Sequence, residues 1–373
     1  MSINWIANFL KIECNTNQRQ VGLDLFRSIA LFAVLFAHSI DFFRETIPSS
    51  GHVFFLLKDA IEIFFTISGF LVGKQLVDSI TKYGNWKRAT REFYLKRWFK
   101  TLPAYYLVIG IHLVFGYLIN DELLKDFSWR FLFFMQNIAA ANFYFFPVSY
   151  SLAIEEWFYL LLPFGLSILS WIYYRHNQKN GIVVYLLFLI VIATCFRCYL
   201  YLFTDSHWDA VLRKSVISRL DAPVYGLAMA WLFYYQKDYF DRYRKNFFLT
   251  GLLLFAVMIF VKQYTQSSML SSVFYFNLVP ASLSLMIPYF YHFTIESCRL
   301  QQVLVYFSLT SYSFYLIHHT PIMFTMLYLS KPNTPIDSLM IWLFYLLVVF
   351  ISTHVLYKYF EKPVMDLRKR FTN

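Results

Sequence analysis

Charged residues are scarce in this sequence: Asp, Glu, Lys and Arg make up 15% of its 373 residues. Soluble globular domains carry about 25% of such residues, so the shortage excludes an ordinary soluble fold. Cysteine is also scarce, with four in the chain, and their spacing predicts no disulfide framework. Cys195 and Cys198 form a CxxC motif, but no second pair of ligands accompanies it, and we therefore expect no metal site.

Apolar residues dominate the composition, with 58% hydrophobic residues, 22% aromatic residues and a mean hydropathy of +0.48. Repeated apolar runs approach the roughly 20 residues that a transmembrane helix needs. The sequence therefore predicts an all-α polytopic membrane protein. Its net charge of +11 is explained by Lys and Arg in the loops on one side of the membrane, and we expect no nucleic-acid partner.

The apolar runs predict about ten transmembrane helices, at residues 21–43, 53–78, 93–119, 150–173, 181–203, 215–235, 247–263, 270–293, 302–328 and 338–360. A further apolar stretch, residues 129–147, contains polar side chains at Gln136, Asn137 and Asn142. If this stretch does not cross, most loop Lys and Arg residues share one side, which the positive-inside rule places in the cytoplasm. We therefore predict that it is a half-helix or re-entrant element and that both termini are cytoplasmic.

This topology predicts three parts of the chain. Residues 1–20 are a cytoplasmic amino-terminal segment, residues 21–365 are a single transmembrane domain, and residues 366–373 are a cytoplasmic tail.

The first span carries ionisable residues that a lipid-facing helix would avoid. At about 100° per residue, Arg27 and His38 lie within about 20° of each other on one face and about 16 Å apart along the axis. Asp24 and Asp41 flank them at i,i+3 spacing. A histidine can act as a general base, and an arginine can hold a phosphate or carboxylate. The alternative is a packing histidine bonded to Asp41 or to a neighbouring helix, with an arginine that snorkels to the interface.

The next two spans add an acid and two cations. Glu62 lies in an otherwise apolar run and needs a cationic or hydrogen-bonding partner, for structure or for function. Arg97 and Lys100 are three residues apart and present two cations at the cytoplasmic surface. They are either a clamp for an anionic cytosolic ligand or ordinary positive-inside anchors.

Two adjacent acids begin the fourth span. Ser151, Glu155 and Tyr159 share one helix face at i,i+4 spacing, while Glu156 points about 100° away. Either acid can orient or charge-balance His38, and Glu155 is the first choice because it shares its face with Ser151.

Later segments carry further candidates. Arg219 and Asp221 enter the membrane region at the start of the sixth span, where a structural ion pair with other helices is the expected role. His318 and the adjacent histidine at 319 belong either to a site or to helix packing. Glu361, followed by Lys362 and Pro363, is interpreted as a helix stop.

Seven segments, in order, resemble the acyltransferase 3 family of membrane acyltransferases: LDLFRSIALFAVLFAH, EIFFTISGFL, YLKRWFKTLPAYY, SYSLAIEEWFYLLLPF, SRLDAPVYG, SYSFYLIHHTP and YKYFEKP. The resemblance covers residues 21 to 365. The family's arginine–ten residues–histidine signature falls on Arg27 and His38. Its paired-arginine motif falls on Arg97 and Lys100, with lysine in place of the second arginine.

Two more family motifs match this chain. The family's aspartate before a double phenylalanine is Glu62 here, and its serine–glutamate motif falls on Ser151 and Glu155. Members often carry a carboxy-terminal esterase-like domain. The resemblance ends at residue 365, eight residues before the end of this sequence, and we expect no such domain.

The resemblance implies an O-acyltransferase that uses cytosolic acyl-CoA, with acetyl-CoA the expected donor, and no metal. Arg27, Arg97 and Lys100 would hold the phosphates of the coenzyme. His38, oriented by Glu155 or Asp41, would deprotonate an acceptor hydroxyl. The implied acceptor is a cell-surface saccharide such as O-antigen lipopolysaccharide, capsule or another glycan, and the implied location is the inner membrane of a bacterium.

The residues alone leave other functions open. A transporter or flippase of lipid-linked saccharide or acyl groups also buries charged residues and forms cavities in the membrane, although no internal repeat is visible. A structural assembly subunit is a third possibility, and the cost of so many buried charges argues against it. Direct acyl transfer, an acyl-histidine intermediate and the oligomeric state are not distinguished by the sequence.

Overall fold

The protein is described by a computed structural model, which covers residues 19–47, 57–119, 124–141, 144–173, 178–204, 207–265, 268–330 and 332–372. Every regular element in these ranges is helical, which confirms the all-α prediction. The predicted cytoplasmic segment 1–20 lies outside the described residues except for its last two, as do residues 53–56 of the second predicted span and Asn142.

Sixteen α-helices follow one another in the described ranges. Helices α1 to α8 are Val21–Ser39, Ile61–Tyr83, Trp86–Ile119, Ser149–Tyr173, Gln178–Phe203, Val216–Arg219, Val224–Tyr235 and Lys237–Arg242. Helices α9 to α16 are Arg244–Tyr264, Tyr275–Leu285, Ile287–His292, Cys298–Ile317, Thr325–Ser330, Pro335–Leu356, Lys362–Leu367 and Lys369–Thr372. Short 3₁₀ turns are Ile40–Phe42, Lys58–Ala60 and Trp129–Phe133, and π-helical turns are Trp208–Arg213, Leu270–Phe274, His318–Phe324 and Tyr357–Glu361.

Seven helical segments in the described ranges are long and apolar enough to cross a membrane: Val21–Phe42, Ile61–Ile80, Trp86–Ile119, Asn180–Phe203, Arg244–Tyr264, Leu270–His292 and Pro335–Phe371. This supports an integral membrane protein. The count of ten spans and the cytoplasmic position of both termini stay predictions.

Several helices differ in extent from the predicted spans. Helix α3, which contains the third predicted span, begins earlier, at Trp86, and includes Pro103. The sixth span, predicted at 215–235, is broken between α6 and α7 at Pro223, where the preceding residue is biased away from helix. The chain also remains helical past Glu361 through α15, because a proline is tolerated in the first turn of a helix.

The described part of residues 129–147 forms no helix longer than the 3₁₀ turn Trp129–Phe133, and its place relative to the membrane stays a prediction. Asn137 is fully buried there. Its amide nitrogen donates to the carbonyl oxygens of Tyr150 at 2.9 Å and Lys214 at 2.7 Å. Its own carbonyl oxygen accepts from the Val216 N–H at 2.9 Å. The polar side chain in this apolar stretch therefore ties the segment to α4 and to the chain before α6.

The chain divides into two compact units. The first unit comprises residues 1–58, 96–122 and 291–373, and the second unit comprises residues 59–95 and 123–290. The predicted single domain at residues 21–365 stays a prediction.

In the first unit, aromatic contacts hold α1 against α12 and α14. The rings of Phe32 and Phe307 lie 4.9 Å apart in an edge-on arrangement, and those of Phe36 and Trp342 lie 6.1 Å apart. Aromatic pairs at such distances stabilise packing beyond the burial of their area. These contacts fix the helix that carries the arginine and the histidine of the first predicted span.

In the second unit, two glycines let α2 and α7 approach closely. A Cβ atom added at Gly69 would lie 1.8 Å from the carbonyl oxygen of Pro223, and one added at Gly226 would lie 1.9 Å from that of Thr66. Small residues permit such close contact between membrane helices. Gly69 and Gly226 therefore serve close helix packing.

Candidate active site

Three histidines of the first unit form a cluster. The last turn of α1 carries His38, and the π-helical turn His318–Phe324 carries His318 and His319. The ring of His38 lies 5.2 Å from that of His318 and 4.6 Å from that of His319, measured between ring centroids. His318 and His319 are buried and His38 is half-buried. The structure thus brings together His38 and His318, which the sequence identifies, and adds His319, which the sequence does not distinguish from a packing residue.

The π-helical turn fixes the position of His318. The turn contains Pro321, which has no N–H for a regular helical bond, and π-helical turns are frequent at functional sites. The Tyr345 hydroxyl donates to the His318 carbonyl oxygen at 3.1 Å. The His318 Nδ1 lies 2.9 Å from the Tyr315 carbonyl oxygen and 3.2 Å from that of Phe314. Hydrogen bonds therefore hold both the main-chain carbonyl and the imidazole of His318.

A group of cations in the same unit surrounds Lys100. The charges that act on Lys100 belong to Arg27, Arg97, Glu361 and Arg19. The guanidinium groups of Arg27 and Arg19 each lie 3.4 Å from the Ser308 hydroxyl. Arg27, Arg97 and Lys100 are half-buried. The sequence predicts this grouping for the first two arginines and the lysine, but not for Arg19.

Two carboxylates accompany these cations. Asp24, in the first turn of α1, pairs with Arg19 through two hydrogen bonds of 2.5 and 3.0 Å. Glu361 is buried and accepts a hydrogen bond from the Ser313 hydroxyl. The helix-stop interpretation of Glu361 is therefore wrong. With four cations and two carboxylates, this donor-side cluster (Arg19, Asp24, Arg27, Arg97, Lys100 and Glu361) keeps an excess of positive charge.

Asp41 pairs with Arg44, whereas its i,i+3 spacing predicts His38 as the partner. The α-helix ends at Ser39, and Asp41 lies in the 3₁₀ turn that follows. Its carboxylate is 2.9 Å from the Arg44 guanidinium. The shared helix face predicted through Asp41 ends with α1, and a role of Asp41 in orienting His38 stays a prediction.

The second unit pairs the remaining buried charges. The Nη2 atom of Arg219 lies 2.5 Å from each carboxylate oxygen of Glu62. Arg197 donates to both oxygens of Asp221, at 2.9 and 2.8 Å. All four side chains are buried. The expectation that Glu62, Arg219 and Asp221 form ion pairs with other helices is confirmed, as burial of charge requires.

The acids of α4 also lie in the second unit. The Tyr159 hydroxyl donates to Glu155 at 2.9 Å, as the predicted shared face requires. The buried Ser151 hydroxyl donates to the Val148 carbonyl oxygen at 3.2 Å. Glu155 and Glu156 are half-buried. A role of either acid toward His38 stays a prediction.

No group of three or more His, Cys, Asp or Glu side chains is arranged to hold a metal ion in the described ranges. Cys195 and Cys198 are free thiols on α5. In the first unit, the three imidazoles can exchange protons, and the cations around Lys100 can bind an anion.

Comparison with known proteins gives the family. The family model Acyl_transf_3, described as an acyltransferase domain, matches residues 20–358. One relative is the peptidoglycan O-acetyltransferase OatA of Listeria monocytogenes, 27% identical over 168 residues. That alignment covers 40% of this chain and 25% of the relative. No solved structure matches the chain. Because the family model spans most of the sequence, the chain belongs to the acyltransferase 3 family, and it is an integral membrane acyltransferase.

Proposed function

We propose that this membrane acyltransferase moves an acetyl group from cytosolic acetyl-CoA to a hydroxyl of an extracytoplasmic saccharide, with His38 as the general base. The observation that carries the proposal is that one unit of the fold holds both the histidine cluster and the donor-side cluster. Arg27 and His38 are eleven positions apart on the helix, a rise of about 16 Å. A ligand with phosphates at one end and a thioester at the other matches such an arrangement.

The donor-side cluster favours a polyanion. Its arginines can bind phosphate oxygens in a bidentate manner, while Lys100 acts as a point charge. Half-burial strengthens these interactions relative to bulk water. The negative phosphates of coenzyme A would neutralise the excess positive charge of this cluster.

The histidine cluster supplies the acid–base chemistry. His38 takes the proton of the acceptor hydroxyl while the oxygen attacks the thioester carbonyl carbon. The carbon–sulfur bond then breaks, and the leaving thiolate receives the proton from His38. This route is direct transfer. An acyl-histidine intermediate would use the same residue as the nucleophile.

The acceptor class is supported by the relative. OatA is named for peptidoglycan, a bacterial cell-envelope saccharide, although this chain spans about a quarter of that protein. We extend the proposal to envelope saccharides as a class, including O-antigen lipopolysaccharide and capsule, and to the bacterial inner membrane as the location. There a cytosolic donor and an external acceptor meet across the bilayer.

Alkali-labile acetyl esters on surface polysaccharide test this function. Cells that make the His38→Ala variant should lose these esters, while the variant still reaches the membrane as folded protein. His292→Ala, which changes a half-buried histidine of the first unit outside the histidine cluster, is the matched control and should keep them. A transporter or flippase would still move its substrate in the His38→Ala variant. Normal ester levels in that variant would therefore reject the proposal.

A further inference from the structure

The hydrogen bonds of His318 fix which of its ring nitrogens carries the proton. The Nδ1 atom lies within hydrogen-bond distance of two main-chain carbonyl oxygens, those of Tyr315 and Phe314. A carbonyl oxygen only accepts, so Nδ1 must donate. In a neutral imidazole the other nitrogen, Nε2, then carries a lone pair and no proton.

That lone pair has no hydrogen-bond partner among the described residues. His318 is fully buried, and its Nε2 is a buried polar atom without a bond. Buried acceptors are nearly always satisfied, and an exception calls for an explanation. The Nε2 atom of His318 is therefore available to accept a hydrogen bond.

The ring of His318 lies close to imidazoles and other aromatic rings. Its centroid lies 5.2 Å from that of His38 and 6.1 Å from that of His319. The rings of Phe314 and Tyr315 lie 6.0 and 5.6 Å away. His38 is half-buried whereas His318 is fully buried. His38 is therefore the more accessible of the two imidazoles.

We propose that His318 is a positioning residue for His38, whose ring N–H it accepts as a hydrogen bond through Nε2 during acyl transfer. This inference rests on the proposed function. The centroid separation of 5.2 Å is close to that of two imidazoles joined by an N–H···N bond, which is about 2.9 Å long between the nitrogens. Catalytic hydrogen bonds are often long in the absence of ligand and tighten when substrate binds.

The hydrogen bond would act twice in the reaction. Before transfer it holds one His38 nitrogen as the donor, so the other nitrogen carries the lone pair that takes the acceptor proton. After that proton moves, His38 is an imidazolium, and the bond to His318 stabilises its charge. The acceptor oxygen forms the new bond to the acyl carbon, the carbon–sulfur bond breaks, and His38 returns the proton to the leaving thiolate. His318 remains neutral throughout.

This assignment gives His38 an imidazole partner in the place where hydrolytic triads use a carboxylate. Asp41, the nearest acid along the sequence, pairs with Arg44 at 2.9 Å. A neutral partner also costs less to bury in a membrane than a charged one.

Two substitutions separate the positioning role from a purely structural one. In His318→Asn the side-chain amide can still donate to the Tyr315 carbonyl oxygen, but nothing replaces the Nε2 acceptor. In His318→Gln the longer side chain can place its oxygen near the original Nε2 position. A positioning role predicts that Gln preserves more function than Asn, and a backbone-anchoring role predicts the reverse.

The test measures His38 directly, because the acceptor saccharide need not be known. Diethyl pyrocarbonate modifies the unprotonated nitrogen of imidazoles, and mass spectrometry of the full-length protein in detergent gives the rate at each histidine. His112 is the matched control, because it is buried with Nδ1 2.7 Å from the Val108 carbonyl oxygen. We expect His318→Asn to slow modification of His38 about tenfold, the rate equivalent of a charge-assisted hydrogen bond, and His112→Asn to leave it unchanged.

Surface ester content in the same variants completes the test. Loss of esters in His318→Asn with partial recovery in His318→Gln, at equal amounts of monodisperse protein, supports the inference. An unchanged rate of His38 modification in His318→Asn overturns the inference. An equal loss of esters in His318→Asn and His318→Gln also overturns it. Normal esters in His38→Ala would instead overturn the proposed function, and the modification rates would still report whether His318 acts on His38.

Discussion

Glu62 and Arg219 form a buried ion pair in which a single guanidinium nitrogen lies 2.5 Å from both carboxylate oxygens. Both residues lie in the second unit, 157 positions apart in sequence. Removing one partner leaves an uncompensated buried charge, which costs about 3–5 kcal/mol. We therefore expect Arg219→Met to lower the unfolding temperature of the purified protein strongly.

The double variant Glu62→Leu with Arg219→Met is the control for that measurement. Replacing both members of a buried pair by apolar groups is often neutral for stability, so the double variant should unfold close to the wild type. If the single variant were as stable as the wild type, the pair would have no structural role.

Substitution of the helix-contact glycines should disrupt the second unit. A Cβ at Gly69 or Gly226 would overlap main-chain atoms of the facing helix, and overpacking of this kind costs about 1–3 kcal/mol or more. Gly110→Ala is the matched control, because a Cβ at that position meets no atom within 4 Å. Thermal unfolding in detergent should show a lower unfolding temperature for Gly69→Ala and for Gly226→Ala, and an unchanged one for Gly110→Ala. Equal stability of all three variants would contradict the close contact.

Binding of coenzyme A should depend on the donor-side cluster. Arg97→Ala and Lys100→Ala each remove a charge-assisted contact worth about 1.5–3 kcal/mol, so the dissociation constant should rise roughly 10–100-fold. Lys100→Arg, which restores the family's usual residue, should bind at least as well as the wild type.

Lys237→Ala controls for the loss of a cation, because this exposed lysine lies in the second unit and pairs with Asp241. It should not change the affinity for coenzyme A. Unchanged binding in both Arg97→Ala and Lys100→Ala would remove the cluster from the donor site.

The carboxylate of Asp209 makes the stability of the folded protein depend on pH below the ordinary aspartate pKa of 3.8. It lies in the turn between α5 and α6, outside the spans. Burial would raise its pKa, but the Arg213 guanidinium at 2.7 Å and the Lys214 ammonium outweigh burial and lower the pKa to about 2. A depressed pKa stabilises the folded state above the ordinary pKa of 3.8, and this contribution is lost as pH falls toward 2.

We therefore expect Asp209→Asn to unfold at a lower temperature than the wild type at pH 6. The difference between the two proteins should shrink between pH 4 and pH 2. A difference that does not depend on pH would show that the carboxylate charge is not the cause.

The sequence indicates the ionisable residues of the site because charge is conspicuous in apolar runs. His38, Arg27, Arg97 and Lys100 all stand out in this way. Their partners are less visible, because they come from distant parts of the chain. The need of Glu62 for a cation is predictable, but the choice of Arg219 depends on how α2 and α6 pack.

Two features of the candidate site escaped prediction. His318 and His319 are candidates from the sequence, but their contacts with His38 join parts of the chain about 280 positions apart and come from the fold. Glu361 precedes a lysine and a proline, which together are typical of a helix end. The helix continues because the proline lies in the first turn of α15, and Ser313 satisfies the buried acid.

A catalytic role of His38 is best tested by following transfer of labelled acetyl groups in isolated membranes. Membranes that contain the protein are given acetyl-CoA with an isotope-labelled acetyl group and surface polysaccharide stripped of its esters by mild alkali. The wild type should place label in alkali-labile esters, and His38→Ala should reduce the rate about 10²–10⁴-fold without loss of coenzyme A binding. Transfer at the wild-type rate by His38→Ala would contradict the account.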